Sequence, residues 1–133
     1  MSPELRRNPE LSDGVLNELF DAAWPNHRSR TFAPILRRSL VYVGAFAVDR
    51  LVGFVNVAWD GGIHGFILDT TVHPSHRCQG LVLALLEEAA HAAFELKMEW
   101  LHVDFEAELE PLYRKAGYVH TEAGLLAPSR DAA

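Results

Sequence analysis

The stretch FILDTTVHPSHRCQGLVLALL, residues 66–86, determines how the rest of the chain is arranged. It begins with an apolar, β-branched run from Phe66 to Val72, which predicts a buried strand. Pro74 ends that strand, because proline has no N–H to donate to a ladder. After Gly80 the apolar residues recur at helical spacing, at Val82, Leu85, Leu86, Ala89, Ala93 and Leu96. The stretch is therefore predicted to run from a strand through a short loop into a helix.

The start of that helix is a predicted binding site for an anion, above all for phosphate. The first N–H groups of a helix have no intrahelical partner, and the macrodipole adds partial positive charge there. Gly80 lets a ligand approach the backbone closely, and Arg77 supplies a permanent positive charge.

Two helices are predicted before the first long strands. Residues 1–10 are polar and interrupted by proline, which indicates a loose lead-in. Ser12 is the predicted N-cap of a helix that ends at Trp24-Pro25, and a short second helix is expected over Phe32–Arg38. The apolar face of the first helix comprises Val15, Leu16, Leu19, Phe20 and Ala23. The polar, basic segment between the two helices, residues 26–31, is predicted to be a solvated loop.

Three consecutive antiparallel strands are predicted up to residue 72. The runs Leu40–Val48 and Leu51–Trp59 are rich in β-forming residues, and Asp49-Arg50 between them indicates a tight hairpin. Asp60-Gly61-Gly62 indicates a second turn, which leads into the strand that starts at Phe66.

The C-terminal part is predicted to add a strand, a short helix and closing strands. Trp100–Phe105 alternates as a strand does, and a crossover helix before it favours parallel pairing. Leu109–Ala116 is a predicted helix that Gly117 caps. Closing strands are expected at residues 118–120 and 125–126. The whole order indicates one α+β domain over residues 1–133, with a mixed sheet.

Composition restricts the class of protein. Asp and Glu number 18 against 12 Lys and Arg, for a net charge of −6, which argues against a nucleic-acid-binding surface. One cysteine excludes an intrachain disulfide and is typical of a reducing compartment. We find no apolar run long enough to span a bilayer and no signal-peptide pattern, so the cytoplasm is expected. Homodimerisation is compatible with the sequence.

Two segments of the chain resemble one enzyme family. Val72-His-Pro-Ser-His-Arg-Cys-Gln-Gly-Leu-Val82 is similar to the acyl-CoA-binding signature of the GNAT superfamily of N-acyltransferases, V-x-P-x-x-R-x-x-G-x-G/A before an apolar helix. Leu112-Tyr113-Arg-Lys-Ala-Gly117-Tyr118 resembles the F/L-Y-x-x-x-G-F/Y segment near the end of many members. The resemblance implies a GNAT-like fold, with a central, mostly antiparallel sheet splayed at the cofactor site and flanked by helices.

The resemblance also implies acetyl-CoA as co-substrate and a primary amine as acceptor. It places the pantetheine arm along the main chain of Thr70, Thr71 and Val72, a form of strand addition. It places the pyrophosphate on the loop and first helical turn, namely Arg77, Cys78, Gln79, Gly80, Leu81 and Val82. Glu106 stands where many members have a cofactor-contacting Asn, and Val82 stands where Gly or Ala is usual. These two departures keep open a catalytically weakened domain that binds acyl-CoA or a partner protein without turnover.

Attack of an amine on a thioester needs a proton acceptor for the amine and a proton donor for the leaving thiolate. Tyr113 matches the family's proton donor, and its alternative role is that of a packed aromatic residue. Asp69 occupies a strand position where members often carry an acidic residue, and it serves equally well as a base or as a hydrogen-bond acceptor for nearby loops. Weaker candidates for the base are His64, Asp104, Glu106 and His120.

Two other chemistries receive less support from the sequence. His73-x-x-His76 invites a metal, but it has no clear third ligand, so no metal is predicted. Cys78 lies near a helix start and Arg77, which favours a thiolate, yet no histidine–carboxylate partner is identifiable from spacing. The acceptor stays open among antibiotics, polyamines, amino acids and protein N-termini, and the acidic composition favours a cationic one.

Overall fold

The computed structural model describes residues 2–77 and 79–129, so the predicted roles of Cys78 lie outside the described residues. The chain forms two compact units, Met1–Val103 and Asp104–Ala133. The first unit carries the sheet and three helices, and the second carries a short helical segment.

The sheet of the first unit has five strands in the order β1-β2-β3-β4-β5. Their bounds are Glu4–Arg7, Val41–Ala47, Arg50–Trp59, His64–Val72 and Trp100–His102. The first four strands are antiparallel neighbours, and β5 pairs with β4 in parallel through three residue pairs only. The predicted mixed, mostly antiparallel sheet and the α+β class are confirmed.

Four details of the strands differ from the sequence prediction. Residues 4–7 form β1 rather than a loose lead-in, because an edge strand draws its stability from the ladder with β2. The hairpin turn comprises Val48 and Asp49, since Ala47 pairs with Arg50, and Val48 has φ of +59°. Strand β5 stops at His102, three residues before the predicted end. Strand β4 begins at His64 and is only half-buried, with Phe66 37% and Leu68 42% exposed.

The first unit has three helices: α1 Asp13–Ala23, α2 Ala33–Arg38 and α3 Leu81–Glu95. All three were predicted, α1 and α3 from apolar spacing. The Ser12 side chain caps α1 by accepting the Val15 N–H at 3.2 Å, as predicted.

Helices α1 and α3 pack on opposite faces of the sheet. A Cβ on Gly53 would lie 3.0 Å from Leu85 of α3, whereas the next residue, Phe54, packs in a cluster with α1 residues. Successive strand residues point to opposite faces, so α1 and α3 cover different sides of β3. The α1 cluster comprises Leu16, Leu19, Phe20, Phe32, Phe46, Leu51 and Phe54.

The buried stripe of α3 includes Leu85, Leu86, Ala89 and Ala93, as predicted, and differs from the prediction at its two ends. Leu81 is 5% exposed, while Val82, which we predicted on the core face, is half-buried, and Leu96 lies 48% exposed beyond the helix. The stripe comprises Leu81, Leu85, Leu86, Ala89, Ala92 and Ala93. One residue is a rotation of about 100°, which is enough to move a side chain from the core to the rim of the helix face.

The second unit contains a 3₁₀ turn, Ala107–Leu109, followed by α4, Glu110–Lys115. Gly117 follows α4 with φ of +102°, as a capping glycine does, and its N–H reaches the Arg114 carbonyl at 2.9 Å. The closing strands predicted at residues 118–120 and 125–126 are absent from the described residues, and Leu125 and Leu126 are exposed.

Candidate active site

A β-bulge interrupts β4 at Asp69. Phe54 pairs with Thr71 and Asn56 pairs with Leu68, so one residue of β3 lies opposite both Asp69 and Thr70. Asp69 has φ of +58°, in the left-handed region that favours glycine. Bulges of this kind redirect a side chain, and strained non-glycine residues of this kind cluster at functional sites.

The end of β4 is hydrogen-bonded to the end of α1. The Thr71 hydroxyl donates to the Asp69 carbonyl at 2.9 Å and accepts the indole N–H of Trp24 at 3.1 Å. Thr70 is half-buried, whereas Thr71 and Val72 are buried. Beyond Phe66, the edge of β4 that faces β5 has no strand partner in the described part of the chain.

The loop after β4 forms a 3₁₀ turn, Pro74–His76, and then reaches α3 through an exposed Gly80. Gly80 has φ of +75°, and a Cβ placed there would meet nothing within 4 Å. The first intrahelical bond of α3 runs from the Ala84 N–H to the Gly80 carbonyl at 3.0 Å, and no side chain caps the helix. The N–H groups of residues 81–83 therefore lack intrahelical partners, as an anion site requires.

Arg77 and Gln79 are exposed near the end of this loop. One guanidinium nitrogen of Arg77 donates to the Ala23 carbonyl at 2.9 Å, which fixes the loop to the C-terminal end of α1. A guanidinium has five N–H donors, so this bond positions the charge and leaves donors available.

The loop between α1 and α2 is held to α1 by the side chains of Asn17 and Asp13. The Asn17 amide donates to the Arg30 carbonyl at 2.8 Å, and its oxygen accepts the Arg30 N–H at 3.0 Å. The same oxygen lies 2.8 Å from the His27 ring, and Asp13 accepts the Phe32 N–H at 2.7 Å. The basic loop is largely exposed, as predicted, and these hydrogen bonds also attach it to α1.

This loop and Asp69 line an open cleft of about 790 Å³ within the first unit. The Arg30 guanidinium stacks over Phe32, with its carbon 4.7 Å from the ring centroid, and over Phe20 at 5.5 Å. An Arg30 nitrogen lies 3.4 Å from an Asp69 carboxylate oxygen. The cleft is lined by Phe20, Trp24, Pro25, Asn26, His27, Arg28, Arg30 and Asp69.

Tyr113 is buried in the second unit, and its ring stacks on Phe105 with centroids 4.5 Å apart. Tyr113 also makes an edge-on ring contact with Tyr118 at 5.9 Å. Burial, with a smaller effect from Tyr113, raises the pKa of the Tyr118 phenol to about 12. Glu106 is exposed at the start of the 3₁₀ turn.

A family model described as the acetyltransferase (GNAT) family matches residues 13–118. The chain belongs to this family. The match includes residues 66–86 and residues 112–118, the two segments from which the family was predicted. That prediction is confirmed.

Solved GNAT structures share the fold at low sequence identity. A GNAT acetyltransferase from Streptococcus pneumoniae TIGR4 superposes with a TM-score of 0.77 at 22% identity, covering 96% of this chain and 98% of that one. The aminoglycoside N-acetyltransferase AAC(6')-Iy in complex with CoA gives 0.73 at 16%, covering 96% and 95%. Glucosamine-6-phosphate N-acetyltransferase from Arabidopsis thaliana gives 0.74 at 11%, covering 93% and 97%. Among curated protein sequences, none matches this GNAT chain.

The histidine pair of the loop is engaged in local hydrogen bonds. The Ser75 hydroxyl lies 2.7 Å from Nδ1 of His73 and 2.9 Å from Nδ1 of His76, and Arg50 lies 3.0 Å from Nε2 of His73. Burial, and next the positive charge of Arg50, lower the pKa of His73 below its usual value. The described residues contain no group of three His, Cys, Asp or Glu side chains suited to a metal.

The weaker base candidates lie apart from the cleft or in the second unit. His64 pairs with His102, ring nitrogen to ring nitrogen, at 2.8 Å on β4 and β5. Asp104, Glu106 and His120 are exposed residues of the second unit, and His120 lies 3.9 Å from Glu122.

Among the described residues, no helix is long and apolar enough to cross a bilayer.

Sequence reasoning gave no functional role to Trp24 and Arg30, which line the cleft, or to Asn17, which holds the loop that carries Arg30. Asn17 lies between apolar positions of α1, and its role depends on a loop that returns to it from ten to thirteen residues later. One signal was available for Arg30, since a basic loop between the first two helices was identified. The contact with Asp69 spans 39 residues and had no local signal.

Proposed function

We propose that this GNAT acetyltransferase transfers the acetyl group of acetyl-CoA to a primary amine. The observation that carries the proposal is the uncapped start of α3 behind the left-handed Gly80. Open space beside Gly80 and three N–H groups without intrahelical partners suit a pyrophosphate, and Arg77 adds a positioned charge. We assign the pyrophosphate to Arg77, Gln79, Gly80, Leu81 and Val82, and the pantetheine arm to the main chain of residues 70–72.

Two side chains are assigned to the proton transfers. Acetyl-CoA supplies an activated acyl group, so the protein has only to position it and to move protons. The Asp69 carboxylate accepts a proton from the attacking amine, whose nitrogen forms the new bond to the acyl carbon. The carbon–sulfur bond then breaks, and the Tyr113 hydroxyl donates its proton to the sulfur. Support for Asp69 comes from its bulged, left-handed position in a cleft, and support for Tyr113 comes from its motif.

The test of the cofactor assignment is ligand-dependent stability. At about a hundredfold excess over its dissociation constant, acetyl-CoA should stabilise the folded protein by roughly 2.7 kcal/mol in a melting experiment. Arg77→Ala should weaken CoA more than a pantetheine fragment that lacks the phosphates. Arg37→Ala, an exposed charge deletion on α2, should leave both affinities unchanged. A melting curve that millimolar acetyl-CoA does not move would contradict the assignment.

Turnover separates the enzyme from the catalytically weakened alternative. Val82, partly exposed in the first turn of α3, and the exposed Glu106 keep this alternative open. Release of CoA thiol with a panel of amines should reveal activity, and Tyr113→Phe should reduce it roughly 10²–10⁴-fold at nearly constant acetyl-CoA affinity. Acetyl-CoA binding without turnover of any amine would favour the alternative.

A further inference from the structure

The cleft of the first unit differs in charge from the chain as a whole. The chain carries a net charge of −6, yet the cleft is lined by two arginines and His27 against one carboxylate, Asp69. A ligand in the cleft experiences these nearby groups far more strongly than distant surface charges, because salt screens interactions beyond about 10 Å. The cationic acceptor that composition favours is therefore a poor match for this site.

We propose that the acceptor is an amine that also carries an anionic group, a carboxylate or a phosphate, which Arg30 and Arg28 bind while Asp69 receives the amine. The inference rests on the proposed function, and it names the class of substrate for that same site. The cleft presents both signs of charge side by side, with Arg30 and Asp69 3.4 Å apart. An amine with a nearby anionic group satisfies both.

Arg30 is positioned before any ligand arrives. Asn17 bonds its backbone N–H and its carbonyl, and the faces of Phe20 and Phe32 support its guanidinium. Stacking occupies the face of a guanidinium, whereas its N–H donors lie in the plane and suit a carboxylate or phosphate. A side chain fixed in this way loses little conformational freedom when it binds.

The contact between Arg30 and Asp69 is easily replaced. Its distance is at the long end for a hydrogen bond, and the side chains are 43% and 31% exposed. Ion pairs this exposed contribute little to stability, so a ligand that offers its own anion to Arg30 and its own amine to Asp69 displaces a weak interaction. Trp24, 49% exposed, and Phe20 give the cleft an aromatic side suited to an apolar body.

The experiment compares matched amines by calorimetry, on the protein alone and with CoA present. L-phenylalanine is paired with 2-phenylethylamine, which lacks only the carboxylate, and O-phosphoethanolamine is paired with ethanolamine. We expect the anionic member of at least one pair to bind about tenfold more tightly or better, as a charge-assisted hydrogen bond predicts. The pair that responds identifies carboxylate or phosphate as the anion.

Variants assign the preference to the cleft. Arg30→Gln should remove it, and Arg28→Gln should reduce it and serves as the independent test if Arg30→Gln fails to fold. Arg37→Gln, the same change on exposed α2, should retain it. The inference is overturned if the neutral members bind as well as the anionic ones, if no member binds, or if both cleft variants keep the preference.

Turnover in the same panel distinguishes this inference from the proposed function. If only the neutral amines are acetylated, the proposed acetyltransferase activity is supported and the proposal of an anionic acceptor is contradicted. Tight, Arg30-dependent binding of an anionic amine that is never acetylated would support the binding site and contradict the assigned reaction.

Discussion

At the scale of single residues, Asp69 combines a proposed chemical role with a backbone conformation that costs stability. Its φ of +58° lies where Asp and Asn are tolerated better than most side chains, and glycine best of all. The bulge that produces this conformation also brings the carboxylate to the cleft with Arg30. The proposed base is thus held in place by a strained residue, a common arrangement at functional sites.

Three substitutions at Asp69 separate chemistry from strain. Asp69→Asn keeps the shape and removes the proton acceptor, so we expect turnover to fall roughly 10²–10⁴-fold while the free energy of unfolding changes by less than about 0.5 kcal/mol. Asp69→Ala should destabilise by about 1–2 kcal/mol, since alanine resists positive φ. Asp69→Gly should be at least as stable as the parent and inactive.

Urea denaturation and CoA-thiol release give both quantities for each variant. Full turnover of the Asn variant would show that Asp69 is not the base. An Ala variant as stable as the Asn variant would mean that the left-handed conformation does not constrain this position.

At the scale of elements, the first turn of α3 serves both the core and the predicted phosphate site. Leu81 points into the core at 5% exposure, and Val82 is rotated toward the rim of the helix. Apolar side chains on one side of α3 pack in the core, whereas the N–H groups at its start, which lack intrahelical partners, form the predicted phosphate site.

Neighbouring truncations should therefore differ in cost. We expect Leu81→Ala to lower the free energy of unfolding by about 2–4 kcal/mol, because it leaves a cavity beside β3. Val82→Ala should cost about 1 kcal/mol or less, and CoA affinity should stay the same or rise, since a branched side chain leaves the rim of the anion site. If Leu81→Ala and Val82→Ala lower the free energy of unfolding equally, the assigned rotation of α3 is contradicted. Calorimetry with CoA measures the affinity expected of Val82→Ala.

At the scale of the whole molecule, β1 forms one edge of the sheet of the first unit and contacts α3. Arg7 lies 2.6 Å from Glu88 and 2.6 Å from Glu95, both on α3. The Arg7 guanidinium lowers the pKa of the Glu95 carboxyl. Arg6 lies 4.3 Å from the centre of the Phe46 ring on β2. The N-terminal residues thus connect the sheet edge to α3, the helix at whose start we predict the phosphate site.

Removal of residues 2–8 should consequently destabilise the protein. The lost ladder hydrogen bonds with β2 alone predict a decrease of about 2–4 kcal/mol in the free energy of unfolding, measured by urea titration. Arg7→Gln should produce a smaller loss that shrinks at high salt, because these carboxylates are partly exposed. If the truncated protein is as stable as the parent, residues 1–10 contribute no more than the loose lead-in that the sequence predicted.

Local pattern alone determined the family, the order of the helices and the antiparallel β2-β3-β4 arrangement. Apolar spacing, turn residues and the Val72–Val82 and Leu112–Tyr118 motifs are all properties of neighbours in the chain, so the sequence displays them directly. Tertiary structure decided the features that depend on distant partners. The pairing of β1 with β2 stabilises four residues that have no strand pattern, and rotation of α3 against β3 selects Leu81 over Val82. The cleft is the clearest case: Arg30 contacts Asn17 across 13 residues and Asp69 across 39 residues, and no spacing along the chain encodes contacts that only packing creates.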